Sequence, residues 1–189
     1  MTNKSDSAIA SWHKAARAEN VDHIIGTVAA FSQCRGTLKS MLKVLDLERA
    51  KLRYLGQRCS DHYWLHNHAH RTKDTPGYPW HHGCRVRLVK SSLEMHWYYN
   101  TFVKKEEGEG YKVFSKHICR ELKHRYSKTS FNRAQYYERP IINQTEAGFE
   151  LIRIMNANLS AMRRMIKMNL KTLDKLEDHI NKFENPITK

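Results

Sequence analysis

The chain has 189 residues, 40% hydrophobic and 28% charged, a composition suited to a single domain, or a small domain with a long helical extension. Its charge is uneven: 33 Lys and Arg stand against 19 Asp and Glu, for a formal net charge of +14 and a pI near 9.7. No apolar run approaches the ~20 residues that span a bilayer, so a membrane span is excluded and a polyanion, nucleic acid above all, is the expected partner.

Residues 1–20 are polar, with a short helical pattern from Ala8 through Ala16 and no apolar stretch of the kind a secretory signal needs. From Val21 the residues Ile24, Val28, Phe31, Leu38, Leu42, Leu45, Leu52 and Leu55 recur at helical spacings and predict a long amphipathic helix to about Leu65. Gly26, Gly36 and Gly56 each weaken it by about 1 kcal/mol relative to Ala, and each is a place where it can break. Residues 66–84, HNHAHRTKDTPGYPWHHGC, hold Pro76, Gly77 and Pro79 and read as a His-rich loop. From Arg85 to Ile118 the sequence alternates with period two. Leu93, Met95, Trp97, Tyr99 and Val103 share one face, while Glu94, His96, Tyr98 and Asn100 take the other. After the tip Glu106-Glu107-Gly108-Glu109-Gly110, a third run separates Tyr111 and Val113 from Lys112, Phe114 and Lys116. This pattern predicts a three-stranded antiparallel β-meander that needs helices to cover its apolar face.

Residues 120–139 are basic and aromatic, with Ser130 able to cap a brief helix and Pro140 turning the chain. Beyond them Ile152, Met155, Leu159, Met162, Ile166, Asn169, Leu173, Leu176, Ile180 and Phe183 keep a 3-4 heptad spacing. Nine of these ten are apolar, which predicts a helix from about Asn143 to Phe183 whose seam pairs with another helix or with a second copy in a homodimer. Asn169 is the kind of polar core residue that sets register. The expected fold class is α+β: an N-terminal helical segment (1–65) with one long helix, the His-rich loop (66–84), and a meander with a long C-terminal amphipathic helix (85–189), in one structural unit.

Among residue types able to do chemistry, Cys59, His62, His66, His68, His70, His81, His82 and Cys84 cluster in sequence. Cys59, His62 and His66 share one helix face, and thiolate with imidazole suits zinc. None of the familiar paired spacings is present, and only Asp61 and Asp74 lie nearby, so a metal-dependent nuclease is the weakest reading and no metal or cofactor is expected. Cys34, Cys59, Cys84 and Cys119 are widely spaced and read as reduced thiols of a cytoplasmic protein. There is no G-x-S-x-G and no Gly-rich phosphate loop, and the Tyr98-Tyr99 and Tyr136-Tyr137 pairs read as packing and not as nucleophiles, so no catalytic residue is assigned and no small-molecule substrate is expected.

The stronger signal is basic. Residues 85–139 hold thirteen Lys and Arg against six Glu, a net of +7, with aromatics between the charges. The expected DNA contacts are Arg85, Arg87, Lys90, Lys112, Lys116, Arg120, Lys123, Arg125, Lys128 and Arg133, with Trp97 and Tyr126 as aromatic support. The expected helix-pairing or dimer seam is Ile152, Met155, Leu159, Met162, Ile166, Leu173, Leu176 and Ile180. The methionines Met155, Met162, Met165 and Met168 read as adaptable packing.

The order of RVRLVK, SLEMHWYYNTFV, YKVFSKHI, the basic step RYSKTSF, the run ending YYERP, and a long helix bearing Glu146, Arg153 and Arg163-Arg164 resembles the MobI family over about 85–171. These are auxiliary proteins of conjugative mobile elements. The resemblance implies a bacterial, cytoplasmic, non-enzymatic factor at an origin of transfer. Such a factor binds DNA and helps assemble the relaxosome with a separate relaxase. It carries Arg85, Arg87, Trp97, Lys112, Lys116, Tyr126 and Ser130 as parts of a binding surface. The alternative reading is a helical adaptor for relaxase or coupling protein that touches DNA weakly.

Overall fold

The structure, a computed structural model, describes residues 12–17, 25–71, 80–89, 92–106 and 110–184. The expectations placed on Ala8–Ser11, Val21, Ile24, Lys90, the Pro76-Gly77 turn and the 107–109 tip lie outside those residues. Its elements are a helix α1 (Ile25–Arg71), strands β1 (His82–Val89), β2 (Ser92–Lys104) and β3 (Tyr111–His117), a 3-10 turn (Lys128–Phe131) and a helix α2 (Arg139–Glu184). The α+β class and all three strands are as the sequence predicts.

The strands form one antiparallel sheet in the order β1-β2-β3. Pairings of Cys84 with Trp97, Val86 with Met95 and Leu88 with Leu93 put the alternating apolar residues on one face. That face is covered by Leu52 and Tyr63 of α1 and by Ile142, Phe149 and Ile152 of α2, which join Trp97, Met95, Val86 and Cys84 in one buried cluster. Gly110 closes the β2–β3 tip with φ 108, a conformation open to glycine, and accepts a hydrogen bond from Lys105 N.

Three boundaries differ from expectation, the first being that β1 begins at His82, so His82, Gly83 and Cys84, read as the end of the His-rich loop, are strand. The first helix does not break at a glycine and does not stop at Leu65: His66, His68 and His70 are helical, and the described helix runs through Arg71. The proline signals lie several residues further on, so nothing before Arg71 forces an end. Gly56 is a contact point, because a Cβ there would stand 3.2 Å from Val86 Cγ1 and the valine would have to give way by a few tenths of an ångström. Gly148 plays the same part on α2, where a Cβ would stand 2.7 Å from Cys59 Sγ. The second helix begins at Arg139, with Pro140 in its first turn where a missing N–H costs nothing.

The chain divides into two compact units. In one, residues 43–165, the helices run antiparallel beside the sheet: Arg49 Nε donates to Asn156 Oδ1 at 3.2 Å, Arg163 pairs with Asp46, and His62 meets Gln144 at 3.1 Å. In the other, the first part of α1 and the last part of α2 pair in the same sense through Arg35, Asp174 and Glu177. The expected heptad seam is split by this packing. Ile152 is buried and Leu159, Ile166, Leu173 and Ile180 are half-buried, while Met155, Met162, Asn169, Leu176 and Phe183 are exposed. Asn156, Ser160 and Arg163 pair with α1 where the heptad reading placed Met155 and Met162, so the inward face is rotated from the purely apolar series.

Candidate nucleic-acid interface

The segment from Ile118 to Glu138 has little regular structure of its own, yet its position is fixed by a buried ion pair. Glu146 and Arg153 lie seven residues apart on the inward face of α2, 3% and 6% exposed. Arg153 Nη1 donates to Glu146 Oε1 at 2.7 Å and Nη2 to Oε2 at 3.2 Å. The same carboxylate accepts from Trp97 Nε1 at 2.8 Å, on β2, and from the Tyr126 backbone N–H at 2.9 Å. The guanidinium also donates to the carbonyls of His124 (2.9 Å) and Met95 (3.2 Å). One ion pair thus ties helix, sheet and basic segment together. A buried carboxylate with four donors is the condition under which such a charge is tolerated in a core.

A second buried group fixes the other end of the segment. Tyr63 Oη stands 2.6 Å from the His82 carbonyl and 2.9 Å from Glu138 Oε1, its single proton serving one acceptor at a time. His82 Nδ1 lies 3.2 Å from the same carboxylate oxygen. Burial first, and the neighbouring Glu138 second, push the Tyr63 hydroxyl well above its ordinary pKa, so it remains a neutral donor. Burial pushes the Cys84 thiol to about 12, and Cys84 Sγ rests 3.5 Å from Ser60 Oγ.

On this frame the predicted cations fall in separate places. Arg85 and Arg87 lie on the outer face of the sheet, paired with His96 and Glu94. Arg87 Nε donates to Glu94 Oε2 at 2.7 Å, and Arg85 lies 5.6 Å from the centre of the Tyr98 ring. Lys112 and Lys116 pair with Val103 and Tyr99, so they share the Trp97 face, opposite Arg85 and Arg87. The single basic meander surface expected from the sequence is therefore two surfaces. Lys116 joins Arg133 in a cleft of 410 Å³ between the sheet and the 3-10 turn. Arg120 and Lys123 line a second cleft of 290 Å³ with His96, His124 and Glu94. Lys128 lines a third, beside Arg139, and Arg125 stands 3.8 Å from Glu150. Among the described residues, Lys112, Lys116, Arg120, Lys123, Lys128 and Arg133 have no carboxylate partner, which leaves their charge available to an external anion.

Trp97 and Tyr126 are 0% and 2% exposed, so they cannot stack on a base; they support the segment from beneath. Ser130 lies inside the 3-10 turn and not at its cap, which is Ser127. The His and Cys residues disperse. His62 packs on His66, His70 stacks on Tyr137, His81 stacks on Tyr99, and His82 is buried. Among the described residues no three His, Cys, Asp or Glu gather to hold a metal ion, and the four cysteines are free. Sequence reasoning missed Tyr63, Glu138 and His82 as a buried set, and no spacing marks them. The Glu146–Arg153 pair did carry a signal: Ile142, Glu146, Phe149 and Arg153 repeat at four, three and four residues along one apolar face.

No curated protein and no solved structure matches the chain. The family model described as MobI protein matches residues 52–167. That span reaches further back than the 85–171 resemblance and takes in the part of α1 that carries Tyr63 and packs on the sheet. It also encloses the meander, the basic segment and the ion pair that holds it, and with more than half of its length matched, the chain belongs to the MobI protein family.

Proposed function

We propose that the protein binds DNA at an origin of transfer through the 112–133 surface and helps a separate relaxase assemble there. MobI proteins are auxiliary mobilisation proteins, not a known enzyme family, and no helix among the described residues is long and apolar enough to cross a membrane. The observation that carries the DNA reading is the set of six cations without carboxylate partners on and beside a segment held by the Glu146–Arg153 pair. A cation that is positioned and left unpaired favours a phosphate, and several of them in sequence follow a polyanion. Gel-shift titration of transfer-origin DNA against scrambled DNA of equal length tests it. Tighter binding to the origin sequence is expected. Equal affinity for both would remove the origin-specific part of the proposal, and no binding at low salt would remove the DNA part.

One observation supports a second, compatible role as a protein adaptor. Met155, Met162, Met165 and Met168 of α2 are 51–65% exposed. Flexible methionines in solvent suit a protein partner, either the relaxase, a coupling protein or a second copy of this chain. A homodimer through this stripe is expected to fall apart when Met162→Asp and Met165→Asp are combined. A wild type that scatters light as a monomer at tens of micromolar would assign the stripe to a different protein.

A further inference from the structure

Four features of the cleft between β2, β3 and the 3-10 turn suit it to an anion. It is the largest of the clefts beside the basic segment, at 410 Å³ against 330 and 290 Å³. Its lining contains no Asp or Glu, whereas the Arg120–Lys123 cleft has Glu94 in its wall. Its two cations come from different elements: Lys116 from β3, paired in register with Tyr99, and Arg133 from just beyond the 3-10 turn. The guanidinium is also set in place, because Arg133 lies 5.2 Å from the centre of the Tyr99 ring, and that ring stacks on His81 at 5.2 Å with an 11° tilt. A guanidinium held over an aromatic ring loses less freedom when it binds an anion than a free one does, and its planar fork matches the edge of a phosphate. Thr129, Ser130 and Asn132 complete the wall; the two hydroxyls meet Ser127 Oγ at 2.6 and 3.1 Å, so one of them at a time, with the Asn132 amide, is able to donate to the remaining oxygens.

We propose that this cleft is a phosphate-ester site, in which Arg133 and Lys116 clamp one phosphate group and Thr129, Ser130 and Asn132 complete its hydrogen bonding. Its volume lies in the range of roughly 300–1,000 Å³ used for small-molecule ligands, larger than a bare phosphate needs, so it accommodates the sugar that carries the phosphate. Size and charge thus point to one nucleotide of a strand and not to a free ion. The site rests on the DNA-binding reading only for the source of its phosphate. It gives that reading a fixed point: one phosphate seated in a walled cleft sets the register of the strand on the basic surface.

Backbone NMR of the full chain tests the proposal with inorganic phosphate, and with single-stranded ten-nucleotide oligomers bearing either a 5′-phosphate or a 5′-hydroxyl, all at constant ionic strength. Shift changes are expected to centre on Tyr99, Lys116 and 129–133. Lys116→Met and Arg133→Gln are each expected to weaken binding about tenfold or more, since hydrogen bonds to charged groups are worth about 1.5–3 kcal/mol. Arg120→Gln with Lys123→Gln should leave the inorganic phosphate affinity unchanged. Both cleft side chains are exposed, so the variants are expected to keep the wild-type spectrum elsewhere, and Lys116→Arg should restore binding. A preference for the 5′-phosphate oligomer would identify the ligand as a strand end, and equal binding would identify an internal phosphodiester. Shifts spread over the whole basic surface, or affinities untouched by both cleft variants, overturn the site while leaving DNA binding intact. Phosphate binding at the cleft in a protein that ignores DNA would retain the site and sink the DNA reading.

Discussion

Removing the Glu146 carboxylate should both destabilise the protein and release the basic segment. In Glu146→Ala, Trp97 Nε1, the Tyr126 N–H and the Arg153 guanidinium all lose their acceptor in a region where Glu146 is 3% and Arg153 6% exposed. Breaking a buried pair by deleting one partner costs about 3–5 kcal/mol, because the remaining charge is buried and uncompensated. For a protein of this length, about 2–4 °C of melting temperature is lost per kcal/mol, so Tm should fall by about 6–20 °C. Arg163→Ala is the control. It removes an ion pair whose partner Asp46 is 52% exposed, and pairs of that kind are worth about 0–1 kcal/mol. Urea denaturation of Glu146→Ala, Arg153→Ala and the double variant forms a cycle, with the double expected to be about 1–3 kcal/mol less destabilised than the sum of the singles. Hydrogen exchange should show residues 118–127 opening before β1 in Glu146→Ala, since that segment is attached through Tyr126 and His124. A loss below about 1 kcal/mol, or an additive cycle, would refute the idea that this pair holds the segment.

Gly148→Ala should destabilise the wild type, because its Cβ would stand 2.7 Å from Cys59 Sγ. In a Cys59→Ala background the clash is gone, and the same change should become stabilising by up to about 1 kcal/mol through helix propensity, so a change of sign in urea midpoints is the readout. On the outer sheet face, His96 Nδ1 lies 2.9 Å from His117 Nε2, and burial first, then the charge of His117, hold the His96 pKa below its ordinary value. The unfolded chain therefore takes up a proton near pH ~6.5 that the folded chain resists. Stability from this residue is complete above that pH and declines as pH falls below it. The urea midpoint should drop between about pH 7 and 5, and His117→Asn should flatten the decline; an unchanged slope would mean that His117 does not contribute.

The parts of this fold that are legible in sequence are those governed by local periodicity. The β2 alternation places Leu93, Met95 and Trp97 inward, as the pairings with Leu88, Val86 and Cys84 show. What the sequence hides depends on contacts between elements. Arg85 and Lys116 both read as outward-facing cations, but which sheet face each occupies follows from strand register, and period two sends them to opposite sides. The glycines of α1 read as weak points because a lone helix gains nothing from them; at Gly56, Val86 packed against the helix supplies the reason for a glycine. Hydrophobicity, the only local guide along α2, draws its seam through the methionines. Its inward positions include Asn156, Ser160 and Arg163, polar residues whose partners Arg49 and Asp46 lie on a distant part of the chain. Trp97 and Tyr126 read as aromatic support but are core residues bound through Glu146, since no local pattern distinguishes a stacking ring from a buried one.

The salt dependence of DNA binding bears most directly on the central claim, that the stapled basic surface meets phosphate. Log affinity for duplex DNA is measured against log salt for the wild type and for a variant with Lys116, Arg120, Lys123 and Arg133 all changed to Ala. Each lost phosphate contact should reduce the slope by about 0.9, so the four together should flatten it by about 3–4 units while the fold, read by circular dichroism, stays intact. A variant that binds with the wild-type slope would contradict the claim and place the DNA surface elsewhere on the chain.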